Sequence, residues 1–193
     1  ESAELDIIEN RYHNIKRNAL SYIKALEILI NDLVIGHLKR SGMGNDFFVK
    51  PETMPPKLYL EQEQGSVPIS KWHKNYSLTQ MIYFVDRCLE SNNFCFKKAF
   101  QEYKPFIPFI QKLLPAVVKN NFLLEIRGTL AHNDSGNISD KDALVIRNLV
   151  LGIAQQGLMS QALMSFYHKD YRWLEKVQGD YTKVDFKKLK ASA

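Results

Sequence analysis

The stretch ELDIIENRYHNIKRNALSYIKALEILINDLVIGHLKR, residues 4–40, decides the fold class. Ile8, Tyr12, Ile15, Ala19, Tyr22, Leu26, Leu29 and Leu33 recur at steps of three and four, which lays them along one side of an α-helix. Neither Gly nor Pro interrupts the run before Gly36, so it predicts one long helix, or two with a break near Asn18. Ser41-Gly42-Met43-Gly44 ends it, because glycine just past a helix takes the left-handed conformation that closes the last turn.

Outward from that helix the punctuation changes. Pro51, Pro55, Pro56 and Pro68 exclude a continuous helix over 45–76, and Lys57–Glu61 and Ser66–Trp72 read as two short strands about Gly65, a small hairpin within an irregular, Pro-rich insertion. Ser77 caps a helix over Leu78–Glu90 with Met81, Ile82, Val85 and Leu89 inward, and Phe94–Tyr103 is the next. Pro105, Pro108 and Pro115 leave Phe106–Leu114 a short helical turn at most. Pro115 opens a further helix to about His132, and 133–137 is a loop. Ser139 with Asp142 three residues on starts a long helix to about Tyr167, in which Gly152 and Gly157 are flat spots for a close neighbour. Residues 178–193 form a basic extension. The expectation is a single all-α domain over 1–193, an up-and-down helical bundle carrying the insertion.

Composition narrows the function classes. The chain has 193 residues, 45% of them apolar, with nine Tyr and eleven Phe, enough for a bulky core and too apolar for wholesale disorder. No apolar window is long enough to span a membrane; even Asp142–Phe166 carries Arg147, Asn148, Gln155 and Gln156. The acidic start Glu1-Ser2-Ala3-Glu4 has the wrong charge for a signal peptide, and a first residue other than Met fits a processed chain or a domain cut from a longer one. Cys88 and Cys95, without zinc-ligand companions, read as reduced thiols in or near the core of a cytoplasmic protein. His13, His37, His73 and His168 are scattered, and each reads as a surface or half-buried residue. No phosphate loop, H-E-x-x-H or serine elbow occurs, so no metal or cofactor is expected. A net charge of +5 fits a polyanion partner.

The chemistry-bearing stretch is Leu123-Leu124-Glu125-Ile126-Arg127-Gly128-Thr129-Leu130-Ala131-His132-Asn133-Asp134. On a helix, Leu123, Ile126 and Leu130 share one side, while Asn121, Glu125, Gly128 and His132 share the other. Arg127 falls toward the apolar side, where a guanidinium is costly unless a carboxylate such as Asp86 or Glu90, or a phosphate, pairs with it. In a straight helix five steps set Arg127 and His132 about 140° apart.

Arg127-Gly-Thr-Leu-Ala-His132 resembles the R-x4-6-H signature of the HEPN superfamily, with an apolar run before the Arg and a polar loop after the His. The resemblance implies a helical bundle that dimerises through the helix bearing the motif, so that two Arg/His pairs face each other. It also implies a metal-independent endoribonuclease in a toxin or anti-phage setting, with an antitoxin or sensor domain as a further partner. Arg127 and His132 are then the catalytic pair, with Asn133, Thr129 and Glu125 supporting. Gly128 stands where the family commonly has a polar residue, often Asn, and Asp134 where a subset has Tyr. The first departure favours an alternative, a non-cleaving dimerisation or nucleic-acid-binding domain of a larger defence protein.

Two basic-aromatic runs are candidate RNA contacts. Lys71, Trp72 and Lys74 lie in the insertion; Arg172 lies among Tyr167, Lys169, Tyr171 and Trp173. Aromatic faces beside cations match the stacking and phosphate demands of single-stranded RNA.

Overall fold

The computed structural model describes residues 15–53, 56–103, 105–115, 139–152 and 157–167. Helix α1 spans Ile15–Asn31 and passes through a π-helical turn, Asp32–Gly36, into α2, His37–Arg40. Three short strands follow: β1 (Phe48–Lys50), β2 (Lys57–Tyr59) and β3 (Val67–Pro68). The remaining helices are α3 (Leu78–Glu90), α4 (Phe94–Ala99), α5 (Phe106–Pro108, continued by a π turn over Phe109–Leu113), α6 (Asp140–Leu151) and α7 (Leu158–Tyr167). None of these helices is long and apolar enough to cross a membrane.

The periodic stripe of α1 is where the core sits. Ala19, Tyr22, Leu26 and Leu33 are buried, joined by Ile23 and Ile30, with Leu29 half-buried. This face packs along α6 and touches α3 and α7, so α1 is the central helix of the described fold. Phe47, Phe96, Phe106 and Phe109 are fully buried around it. Each contributes about 1.5–3 kcal/mol relative to an exposed ring. The π turn carries one extra residue per turn, which keeps Leu33, Val34 and Ile35 all buried. Gly36 leaves room within it: a Cβ there would stand 2.4 Å from Asp32 Oδ1, the oxygen that pairs with Arg40 at 2.8 Å. The Asp32 carboxylate, hydrogen-bonded to the guanidinium, raises the pKa of Arg40. Ser41 and Gly42, at φ +79°, close α2 as the glycine punctuation requires.

Two helix starts are set by their caps. Ser77 accepts from the Gln80 N–H while the Gln80 side chain accepts from Ser77, and Ser139 and Asp142 repeat the arrangement ahead of α6. Met81, Ile82 and Val85 of α3 point into the core as the periodicity predicts, and Leu89 packs at its margin.

The structure corrects four expectations. A small sheet makes the fold mostly helical rather than all-α: β1 lies between β2 and β3, antiparallel to both, so the expected strand pair is not a hairpin but flanks a strand over Phe48–Lys50. Pro68, which has no N–H to donate, is tolerated because β3 is an edge strand. Residues 106–115 are helical throughout, since Pro105 is the N-cap and Pro108 lies in the first turn, where no N–H is needed. The helix expected from Ser139 to Tyr167 is broken: Gly152, at φ +86° and ψ 160°, ends α6, and α7 begins at Leu158. Gly157 is a close-approach glycine, but to its own chain, because a Cβ there would meet Leu151 C at 2.3 Å and Gly152 N at 2.4 Å.

His37 is the fourth. Instead of lying at or near the surface it is 8% exposed, its Nε2 is 2.8 Å from the Ala99 carbonyl, and the rings of Phe100, Tyr103 and Phe166 surround it at 4.9, 4.4 and 5.3 Å. The carbonyl can only accept, so Nε2 carries the proton. His73 is exposed, in line with the expectation. Cys88 is buried and Cys95 half-buried, both as free thiols, and burial pushes both up from the ordinary thiol range.

Candidate nucleic-acid interface

Arg127, His132, Asn133, Thr129 and Glu125 lie outside the described residues, as do the helix expected over 115–132 and the loop after it. So do Arg172 and the basic extension at 178–193. The sequence-nominated residues that the structure places are Lys71, Trp72 and Lys74, and it brings them together.

Their position follows from how the insertion is fastened to the helices. Asn31, at the end of α1 and 4% exposed, reaches across to Tyr76. Its Oδ1 accepts from the Tyr76 N–H at 2.7 Å, and its Nδ2 donates to the Tyr76 carbonyl at 2.6 Å and to the Glu27 carbonyl at 2.8 Å. One amide thus satisfies both backbone groups of a residue 45 positions away. At the other end, the Ile69 N–H donates to the Phe47 carbonyl at 2.9 Å, and Ser70 Oγ donates to Asn45 Oδ1 at 2.6 Å. Gly44 permits that closeness, since a Cβ there would stand 3.2 Å from the Ser70 Cβ and 3.3 Å from the Lys39 Cα.

Between these anchors a short 3₁₀ turn, Ile69–Lys71, delivers Trp72 in extended conformation. The ammonium of Lys39, from α2, donates to the Trp72 carbonyl at 2.5 Å. The ammonium of Lys74 stands 5.7 Å from the indole centroid, a cation–π contact. Trp72 stacks on Tyr76 with centroids 6.4 Å apart and planes 30° apart. Lys71, His73, Lys74 and Asn75 are exposed, Trp72 is half-buried and Tyr76 is fully enclosed. The phenol of Tyr76 and the indole N–H of Trp72 are buried with no hydrogen-bond partner among the described residues, and burial pushes the phenol well above its ordinary range.

Lys39 and Lys74 contact Trp72, the exposed Lys71 precedes it in the chain, and Trp72 stacks on Tyr76, whose backbone Asn31 holds, which makes a basic-aromatic rim. Cations on a preordered backbone suit phosphate oxygens, and an indole face suits a base once Lys74 moves aside. Among the described residues, no group of three His, Cys, Asp or Glu is placed to hold a metal.

No family model, curated protein or solved structure matches the chain.

The sequence missed Lys39 and Asn31, the two side chains that fasten this segment to the helices. Lys39 reads as an ordinary basic residue in the last turn of a helix, and its contact with Trp72 spans 33 positions. Asn31 falls beside the apolar stripe of α1, where a buried amide is the one available hint of a distant polar partner.

Proposed function

We propose that this chain is a HEPN-like RNA-cleaving domain, cytoplasmic and homodimeric, working without a metal ion on single-stranded or loop RNA in a toxin or anti-phage setting. The observation that carries the proposal is the Arg127-Gly-Thr-Leu-Ala-His132 segment in a mostly helical chain. The basic-aromatic rim at Lys71, Trp72 and Lys74 supports it by supplying a surface of the right charge and stacking chemistry.

The reaction balances with these residue types. A base removes the proton from the ribose 2′-hydroxyl, its oxygen forms the new bond to phosphorus, the bond to the 5′-oxygen breaks, and an acid returns a proton to that oxygen. His132 is the titrating group and serves as base or acid; the partner copy's motif supplies the complementary role. Arg127 offers a permanent, two-pronged charge to the phosphorane oxygens. Asn133, Thr129 and Glu125 are supporting positions near the same motif.

Gly128 favours a second reading, in which the same domain binds RNA or pairs with a copy of itself without cleaving. Incubating a mixed-sequence RNA in EDTA with the wild type, Arg127→Ala and His132→Ala decides between them. Cleavage lost in both variants supports the nuclease; RNA retained intact by a folded wild-type dimer supports the binding domain.

A further inference from the structure

The lysines beside Trp72 differ in what they already hold. Lys39 is half-buried, and its ammonium donates to the Trp72 carbonyl across 33 positions of chain. The Trp72 N–H donates to the Ile69 carbonyl at 3.0 Å, so both backbone polar groups of this residue are engaged. Lys71 and Lys74 are exposed, and among the described residues neither ammonium has a hydrogen bond or an ion pair. Two cations are therefore free to meet phosphate, while the third is spent on holding the indole in place.

The indole has an inner and an outer neighbour. Tyr76, 2% exposed, stacks on it from the core, whereas the ammonium standing over the ring at 5.7 Å belongs to the exposed Lys74. An exposed cation–π contact is worth roughly two- to fivefold in an equilibrium, and a base stacked on an aromatic ring roughly five- to 150-fold. A base therefore outcompetes the ammonium for the ring. The displaced cation stays beside the same nucleotide, because Lys74 is two residues from Trp72 on a backbone that Asn31 fixes at Tyr76.

We propose, on the RNA reading above, that these lysines divide two tasks: Lys39 is a positioning residue that sets Trp72, while Lys71 and Lys74 take the phosphates flanking an unpaired base that stacks on the indole in place of the Lys74 ammonium. Drawing Lys39 to a phosphate would undo the contact that places the ring. A duplex keeps its bases stacked on one another and has none to offer Trp72, so the site selects single strands.

The test follows the fluorescence anisotropy of a labelled 2′-O-methyl RNA strand of mixed sequence, which 2′-hydroxyl attack cannot cleave, titrated with the full chain over a range of salt. Lys71→Gln and Lys74→Gln are each expected to lower the slope of log affinity against log salt by about 0.7, the share of one phosphate contact on a single strand. Trp72→Ala is expected to weaken binding roughly tenfold at unchanged slope, and Lys39→Met by a smaller factor, also at unchanged slope. Lys39→Arg restores the affinity. In the Trp72→Ala background Lys39→Met has no further effect, which separates positioning of the indole from a general loss of stability. Pairing the strand with its complement removes the effect of Trp72→Ala. A lowered slope in Lys39→Met, an added loss in the double variant, no loss in Trp72→Ala, or no binding by the folded wild type overturns the proposal. The expected binding pattern in a protein that leaves unmodified RNA intact in EDTA would overturn the nuclease reading alone.

Discussion

Removing the Asn31 amide is expected to cost the protein more stability than its size suggests. Asn31→Ala deletes both hydrogen bonds to the Tyr76 backbone and the one to the Glu27 carbonyl. Nothing the size of a methyl group replaces them, and at 4% exposure the site offers water little access. A buried backbone group left without a partner costs about 1–3 kcal/mol, so stranding the N–H and carbonyl of Tyr76 together costs about 2–5 kcal/mol. Equilibrium urea unfolding, followed by far-ultraviolet circular dichroism, reads this directly. With a slope of about 2 kcal/mol per molar urea, the midpoint falls by roughly 1–2.5 M at unchanged slope. Because the same amide fastens the segment carrying Trp72 and Lys74, the proposed RNA binding is expected to weaken in parallel, as read by retention on a filter. A midpoint within about 0.3 M of wild type would refute the claim that this clamp joins the insertion to α1.

Tyr76→Phe works the other way. The phenol has no hydrogen-bond partner among the described residues, so its loss is neutral to stabilising by about 1 kcal/mol in the same urea experiment. Burial raises the phenol's pKa above the ordinary value of about 10, so the unfolded chain ionises first and stability, unaffected below about pH 10, falls as the pH rises beyond it. Thermal melts between pH 9 and 11 should show a smaller alkaline loss in Tyr76→Phe than in wild type. His37→Ala removes three ring contacts and strands the Ala99 carbonyl, for about 2–4 kcal/mol and a melting point lower by roughly 5–15 °C by calorimetry. Gly157→Ala forces a methyl group against backbone at 2.3 Å and is expected to destabilise by more than about 2 kcal/mol, whereas Gly42→Ala, with open space around it, costs only the roughly 1–2 kcal/mol of its left-handed conformation. Iodoacetamide at pH 8 should label Cys95 well before Cys88, as read by peptide mass spectrometry, because Cys88 is buried and carries the stronger upward shift.

What was legible in the sequence follows the range of the interactions. The capped starts of α3 and α6 depend on residues three positions apart, so Ser77 with Gln80 and Ser139 with Asp142 announce them. The buried side of α1 is equally local, a matter of period. β1 is not, for Phe48–Lys50 has no alternation to show and becomes a strand because β2 and β3 pair with it on both sides. The break at Gly152 is hidden for a different reason: glycine is tolerated within a helix at modest cost, and only the backbone angles reveal that this one has left the helical region. Pro108 misleads in the opposite direction, since a proline near a helix start interrupts nothing. In the candidate interface, composition alone points to Lys71, Trp72 and Lys74, while Lys39 and Asn31 enter through tertiary contacts that no local pattern encodes.

The proposed role of His132 in an attack by the ribose 2′-hydroxyl fixes the chemistry of the product ends, which can be read directly. A defined RNA and the same sequence with 2′-deoxyribose throughout are each incubated in EDTA with the wild type and with His132→Ala, and the fragments are analysed by mass spectrometry. Fragments ending in 2′,3′-cyclic phosphate and 5′-hydroxyl are expected from the RNA with wild type, none from the deoxy strand, and none with His132→Ala. Fragments with 3′-hydroxyl and 5′-phosphate ends, cleavage of the deoxy strand, or undiminished cleavage by His132→Ala would contradict it.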